Sequence, residues 1–412
     1  MALIVQKFGG TSVGDVERIR NVARRVVKTR EQGHDVVVIV SAMGGETDGL
    51  VALARAMSSD PDPREYDVLV STGEQKTIAL LSMAIHGLGC SARSMTGAQL
   101  GMRTDSDHTR ARILDIDAAR VRATLDGGSV VVVAGFQGTD EAGNITTLGR
   151  GGSDTSAVAV AAALEADVCE IYTDVDGVFT ADPHMVPTAR KLARISYDEM
   201  LEMASLGAKV LQIRAVKFGK RYGVPIHVRS SFHEGEGTWV VQEEDVMERL
   251  VVSGVTYNRD EAKVTLFGVP DQPGVASRLF VPLSEAGVVV DVIVQNVSSQ
   301  GHTDITFTCA RGDLNRALPI VEKVRAELDA AGVTSDDSIT KVSVVGLGMK
   351  DHAGVASRMF RVLSDEGINI QMINTSEIKI SVVVGERYTE LACRALHDAF
   401  GLADQDATEE AH

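Results

Sequence analysis

The stretch that most constrains the fold is a strand-length run without alternation: residues 35–40 read Asp-Val-Val-Val-Ile-Val. A strand with one wet face alternates apolar and polar residues, so an unbroken β-branched run calls for cover on both faces, the habit of a parallel strand between helices. A second such run, residues 129–136, and shorter ones at 2–6, 91–95, 168–173 and 226–229 alternate with helical stretches. The clearest helix covers 15–32, with Ile19, Val22, Val26 and Val27 at helical spacing. Others are expected over 49–57, in a long helix holding Ser71-Thr72-Gly73-Glu74 after the Pro-bearing break at 60–63, and over 155–166. Alternation to about residue 230 implies an α/β class, an open and mainly parallel sheet with helices on both sides.

Between the second apolar run and the 155–166 helix lies Leu-Gly-Arg-Gly-Gly-Ser-Asp-Thr-Ser-Ala, residues 148–157. A glycine-rich turn opening a helix lets backbone N–H groups approach an anion, and the helix end adds partial positive charge. Arg150 supplies a bidentate grip for a carboxylate or phosphate, with Ser153 and Asp154 in the first turn. An ordinary N-capped helix reads equally well from these residues alone. The dinucleotide fingerprint fits worse, because its small third position is occupied by Asp154.

Two further stretches carry the same chemistry. Lys7-Phe8-Gly9-Gly10-Thr11-Ser12 follows the first strand as a turn whose glycines and lysine suit a polyphosphate, although the GxxxxGK[ST] loop is absent from the chain. Residues 172–183 close another strand with Asp174, Asp176 and Asp182 in a turn-rich loop. Calcium-loop spacing fails there for want of a glutamate at the twelfth position, and the carboxyl end of a parallel strand is where such sheets bind ligands, so the loop reads as a nucleotide wall.

The net charge of −16 argues against nucleic-acid or anionic-membrane partners and means that an anion site must gather its cations locally. Cys90, Cys169, Cys309 and Cys393 are isolated and read as reduced packing residues. The opening residues break at Lys7 and no apolar run approaches eighteen residues, so a cytoplasmic protein is expected.

A polar stretch at 232–237 and an acidic one at 242–248 mark a boundary. Beyond it Asp271-x-x-Gly274-Val275-Ala276-Ser277-Arg278-x-Phe280 recurs eighty residues later from Asp351 to Phe360, and the match continues through Leu283 and Leu363, Gly287 and Gly367, Ile293 and Ile373. Identities at one constant offset indicate duplicated modules. Each reads strand, acidic turn, helix, strand, polar turn, strand, an α+β order with one sheet face covered and edges free for pairing. The expected domains are 1–245, 251–335 and 336–403, with an acidic tail at 404–412.

Taken in order, KFGGTS, SAMGGETD, STGE, AGFQG, TTLGRGGSDTSA, TDVDGVFTADP and EMLEMASLGAKVLQ resemble the aspartate kinases of the amino-acid kinase family, with two ACT-like repeats behind. The resemblance covers nearly the whole chain and departs in detail: Phe179 stands where tyrosine is frequent, and Gly45-Glu46-Thr47 replaces a commoner Asp-Thr-Thr. It implies transfer of phosphate from ATP, with Mg2+, to the side chain of L-aspartate. Lys7 and Asp154 would then be catalytic, Asp154 organising Lys7. Thr47, Glu74, Arg150, Gly151, Gly152 and Ser153 would bind aspartate, Glu74 taking its ammonium. Lys7, Phe8, Gly9, Gly10, Thr173, Asp174, Phe179, Thr180, Ala181, Asp182, Lys209 and Val210 would contact ATP. Asp271, Gly274, Val275, Gln295 and Asn296, with Asn374, Thr375, Ser376 and Glu377, would form the effector site for lysine or threonine. A homo-oligomer through the ACT repeats is implied, and Met247 offers a start for a shorter regulatory chain. The rivals are another amino-acid kinase and a non-catalytic sensor; the intact Lys7, Glu74, Arg150 and Asp154 speak against the second.

Overall fold

The computed structural model describes residues 1–205, 210–243, 252–297, 301–349 and 352–404. The chain forms two compact units, the first holding Met1–Phe179 and the stretch from Lys191 through 243, the second Thr180–Arg190 and the residues from 252 onward.

Among the described residues the first unit is built on an eight-stranded sheet in the order Arg194–Ser196, Thr238–Val241, Ile226–Ser230, Val168–Thr173, Leu3–Phe8, Asp35–Val40, Val130–Ala134, Ala92–Met95. Every pairing is parallel except that between Ile226–Ser230 and Thr238–Val241. The valine runs lie in its middle: Val36 to Val40 and Val130 to Val133 are wholly buried. Helices Val16–Glu31 and Thr72–Gly87 pack together, and their Ile19, Val22, Val26, Ile78 and Leu81 join Val36, Val38 and Val40 in one core cluster. Helices Gly152–Leu164 and Ile213–Tyr222 pack against each other, the former also meeting the central strands. Gly152–Leu164 is buried nearly all round, which its Ala/Val composition permits and a charged face would forbid.

Local expectations need three corrections. Lys7 and Phe8 belong to the first strand, not to the turn, because ladder pairs continue to Phe8↔Val40 and Phe8↔Tyr172. The long helix expected to hold the STGE motif is two, Pro63–Val70 and Thr72–Gly87, meeting at Ser71. A small second sheet, Ile113–Ile116, Met102–Thr104, Gln137–Thr139 and Ile145–Thr147, went unread because strands of three or four residues carry too little periodicity.

The second unit holds two four-stranded sheets. The first orders Val290–Val297, His302–Cys309, Ala262–Pro270 and Gly332–Asp336, with helices Val275–Glu285 and Leu314–Leu328 over a core of Val264, Leu266, Ile305 and Phe307. The second orders Gly254–Asn258, Ile339–Val345, Lys379–Gly385 and Met372–Thr375, with helices Ala353–Asp365 and Thr389–Ala399. Both modules are the strand-helix-strand-strand units that the repeat implied, but their boundaries differ from 251–335 and 336–403. Gly254–Asn258 supplies the second module's edge strand, pairing Gly254 with Val345 and Asn258 with Lys341. The first module is therefore inserted into the second. An edge strand has no helix or turn signature of its own, so the repeat could not assign it.

Thr180–Arg190 is the other surprise. It leaves the first unit for the second, where Ala181, Met185 and Val186 share a core with Val342, Val344, Val382 and Leu396. Thr180 carbonyl accepts from Val255 N–H at 2.7 Å, and its hydroxyl lies 2.9 Å from His397 Nε2. A catalytic domain contiguous from 1 to 245 is thus replaced by one with an excursion. The four cysteines are free, and burial pushes the thiols of Cys169, Cys309 and Cys393 up, as packing residues require. No described helix is long and apolar enough to cross a membrane.

Candidate active site

Lys7 is the penultimate residue of the first strand, opposite Ile39 and Ile171. Strand alternation puts it on the face away from Phe8, whose ring stacks on Tyr172 at 4.6 Å in the opposite core. Its ammonium meets Asp154 Oδ1 at 2.6 Å, both side chains about one-tenth exposed. Such a pair holds a cation at the carboxyl end of the sheet against the pull of solvent, and removing either partner would strand the other. The backbone then turns through Gly9 and Gly10. A Cβ on Gly9 would stand 3.3 Å from Lys7 Nζ, and one on Gly10 would stand 3.1 Å from Ala42 carbonyl.

The glycine-rich loop explains itself by close approach. Gly149 and Gly151 adopt φ of +74° and +70°, where a side chain is strained. A Cβ on Gly151 would fall 1.8 Å from Gln212 Cγ, so any other residue there must displace Gln212. Helix Gly152–Leu164 starts immediately, which places Ser153 and Asp154 in its first turn. Ser153 packs over Gly135, where a Cβ would lie 2.8 Å from its hydroxyl. Arg150 is exposed and has no hydrogen bond or ion pair among the described residues, so its guanidinium is available.

Glu74 sits on helix Thr72–Gly87 and is 3% exposed. Its Oε1 accepts Ala42 N–H at 3.0 Å, while Oε2 is buried with no partner among the described residues. Burial pushes its pKa up to about 7, and the Ala42 N–H pulls the other way. A buried acceptor left open is a group set for a donor that arrives with a ligand. Thr47 lies half-buried in the first turn of helix Glu46–Met57.

Other expected residues fall into three groups. Thr173 ends the strand Val168–Thr173 and the exposed Asp174 follows it, Thr173 hydroxyl donating to Asp174 at 3.2 Å, and Phe179 forms a bridge with Lys191. Val210 is half-buried in a turn, whereas Lys209 lies outside the described residues, as do Met247 and Asp351. Thr180, Ala181 and Asp182 are engaged in the second unit: Thr180 by His397, Ala181 by its core, Asp182 by Tyr257 hydroxyl at 3.1 Å. Phe8 has its side chain in the core, which leaves its backbone for a ligand.

In the first ACT-like module Asp271 N–H donates to Gly301 carbonyl at 2.9 Å, next to the Pro270↔His302 pair. The exposed Gln295 and Asn296 lie at that same end of the sheet through Asn296↔Asp304. Gly274 caps the following helix at φ +93°, and Val275 is buried in the core, not a pocket lining. In the second module Asn374 and Thr375 end the strand Met372–Thr375, and Ser376 and Glu377 form the turn after it, Ser376 N–H donating to Lys379 carbonyl. Among the described residues no three His, Cys, Asp or Glu cluster as metal ligands.

The sequence reading overlooked the residues that hold these parts in place. Arg214 donates to Leu148 carbonyl at 2.6 Å and to Ala111 carbonyl at 3.0 Å, and Asp67 accepts from His108, Thr109 and Thr147. An acid beside the apolar run Val68-Leu69-Val70, seven residues before Glu74, was the available signal.

A mainly parallel sheet with a lysine–aspartate pair at its carboxyl end, a glycine-rich loop opening a helix and two trailing ACT-like modules define a small-molecule kinase with appended modules. The amino acid kinase family model matches residues 2–230, and ACT domain models match 263–329 and 342–400. The aspartokinase of Pseudomonas aeruginosa is 61% identical over 404 residues, 98% of each chain, and the aspartate kinase Ask_LysC of Stutzerimonas stutzeri is 60% identical over 403, also 98% of each. Among solved structures, E. coli aspartokinase III in complex with aspartate and ADP is 26% identical with a TM-score of 0.80, covering 96% of this chain and 99% of that one. The chain belongs to the aspartate kinases of the amino acid kinase family.

Proposed function

We infer that the chain transfers the γ-phosphoryl group of ATP to the side-chain carboxylate of L-aspartate, giving 4-phospho-L-aspartate and ADP. The observation that carries this is the pairing of opposite needs: an unpaired Arg150 for a carboxylate and a buried, half-filled Glu74 for an ammonium. Those are the two charges of an amino acid's backbone. Arg150 and Ser153, with Thr47 contributing, hold the α-carboxylate and Glu74 the ammonium, which leaves the side-chain carboxylate to meet the phosphate.

Lys7, fixed by Asp154, and the Gly9–Gly10 backbone stabilise charge that develops on the transferring group. The acceptor carboxylate is already ionised at neutral pH, so no general base is required and Asp154 serves as an organiser. Thr173, Asp174, Phe179, Lys209 and Val210 contribute to the nucleotide side. Mg2+ would neutralise phosphate charge when bound, a role for which substrate oxygens and water can supply most of the ligands.

Lysine or threonine, acting at Asp271, Gln295, Asn296 and Asn374 to Glu377, inhibits by biasing a two-state equilibrium. An E. coli relative solved in complex with lysine and aspartate, 26% identical with a TM-score of 0.76, supports the lysine half. The product feeds lysine, threonine and methionine synthesis. The free edges of the ACT-like sheets suit a homo-oligomer, and a short regulatory chain starting at Met247 fits the same surfaces.

Trapping the product as aspartyl hydroxamate tests both parts, with L-aspartate, L-glutamate and N-acetyl-L-glutamate as acceptors, each with and without lysine plus threonine. Turnover confined to aspartate and suppressed by the effectors is expected. Turnover on another acceptor sinks the substrate, and effector-insensitive turnover sinks the regulation.

A further inference from the structure

We propose that Asp67 is the positioning residue that sets Arg150, and through it the grip on the substrate's α-carboxylate; this rests on the aspartate-kinase reading above. Asp67 lies on helix Pro63–Val70, is wholly buried, and spends both carboxylate oxygens on one neighbourhood. Oδ1 accepts Thr147 hydroxyl at 2.6 Å, and Oδ2 accepts Thr147 N–H at 3.0 Å and His108 Nδ1–H at 2.8 Å. Thr109 N–H is shared between them at 3.1 and 3.0 Å. A carboxylate only accepts, so the histidine proton sits on Nδ1.

These donors come from the two chain segments that frame the substrate loop. Thr147 ends the strand Ile145–Thr147, and only Leu148 and Gly149 separate it from Arg150. Thr109 is held at φ +69°, a strained conformation for a β-branched residue, with its carbonyl 2.9 Å from where a Cβ on Gly149 would stand. Ala111 N–H donates to Thr147 carbonyl at 2.9 Å, and Arg214 fixes Leu148 carbonyl from the other side. Asp67 and Arg214 therefore clamp the backbone that leads into Gly149, Asp67 also holding Thr109 against that glycine, and the exposed guanidinium of Arg150 projects from a fixed base. The same helical pair carries Glu74: helix Pro63–Val70 meets Thr72–Gly87 at Ser71, whose carbonyl accepts Gln137 Nε2–H at 2.9 Å. The two consecutive helices thus link the ammonium receptor to the loop that carries the carboxylate receptor, and with it the spacing by which an α-amino acid is told from other carboxylates.

The test measures KM for L-aspartate and for ATP, with magnesium present, in wild type, D67N, R150A and D67N/R150A. Asp67→Asn turns one acceptor into a donor facing N–H groups. KM for aspartate should rise about tenfold or more, the cost of a lost charged hydrogen bond, while KM for ATP stays within about twofold. Because Asp67 acts through Arg150, the double variant should match R150A within about twofold. Should D67N fail to fold, His108 decides the matter: H108A should raise KM for aspartate and H108N, which keeps an N–H donor, should restore it. Equal rises in both KM values, multiplicative effects in the double variant, or no rescue by H108N would each reduce Asp67 to a structural staple. A wild type that does not phosphorylate aspartate would instead overturn the functional reading.

Discussion

Raising the pH from 6 to 8 should increase kcat/KM for L-aspartate about tenfold, and Glu74 should be the cause. Its carboxyl is buried and its pKa is pushed up to about 7. The form that receives an ammonium is the ionised one, about 9% populated at pH 6 and about 91% at pH 8 for a group titrating near 7, hence the factor of ten. The substrate ammonium keeps its proton across that window, and Glu74 Oε2 has room for it because no described residue occupies that acceptor. The assay is ADP release at saturating ATP and subsaturating aspartate over pH 6 to 8. Glu74→Gln keeps the shape and removes the titration, so its kcat/KM should be low and flat. A flat wild-type profile, or an equal tenfold rise in E74Q, would refute the reasoning. The same shift has a stability side of known sign. The folded state retains a proton that the unfolded chain releases above the ordinary value of 4.5, so Glu74 lowers stability progressively between pH 4.5 and about 7. E74Q should therefore melt higher than wild type at pH 8, the pattern of a group kept for function against stability.

The Lys7–Asp154 pair should behave as a unit: K7M and D154N each lower Tm by leaving one buried charge unpaired, worth about 3 kcal/mol, while K7M/D154N recovers much of the loss but not the activity. Independent Tm effects in the double variant would deny the coupling. Gly151→Ala should raise KM for aspartate and lower Tm through its left-handed φ and its collision with Gln212; Q212A in the same chain should recover the part due to the collision, and no recovery would mean that backbone strain dominates. Burial lowers the pKa of His397, with Asp398 opposing and Arg190 reinforcing the shift, so the folded second unit resists a proton that the unfolded chain accepts below about 6.5. Its stability should fall as pH drops below that value, and H397N should flatten the fall as followed by denaturation at pH 7.5 and 5.5. His227 in the first unit, stacked on Trp239 and also lowered by burial, should keep its own acid sensitivity in H397N.

What the chain announced locally was correct wherever one stretch of backbone settles the matter. Unbroken valine runs require two covered faces whatever else the chain does, so the parallel sheet was legible at Val36 to Val40 and Val130 to Val133. Glycines at 149 and 151 are forced by backbone conformation, so the glycine turn opening the helix was legible too. Lys7 and Asp154 could be paired only through resemblance, since they lie 147 positions apart and only the packing of helix Gly152–Leu164 on the first strand brings them within 2.6 Å. Three decisions belonged to tertiary structure alone. The edge strand Gly254–Asn258 joins the second module because Ile339–Val345 offers an open edge, a pairing no periodicity encodes. Thr180 to Asp182 read as nucleotide wall by their place after a sheet strand, yet Ala181, Met185 and Val186 complete another unit's core. Asp67 drew no attention because a buried acid looks like any helix-surface acid until its four donors, gathered from segments 41 to 80 residues away, surround it. Period and composition report what a residue's own element needs; which distant groups satisfy it is set by packing, and there the substrate loop takes its shape.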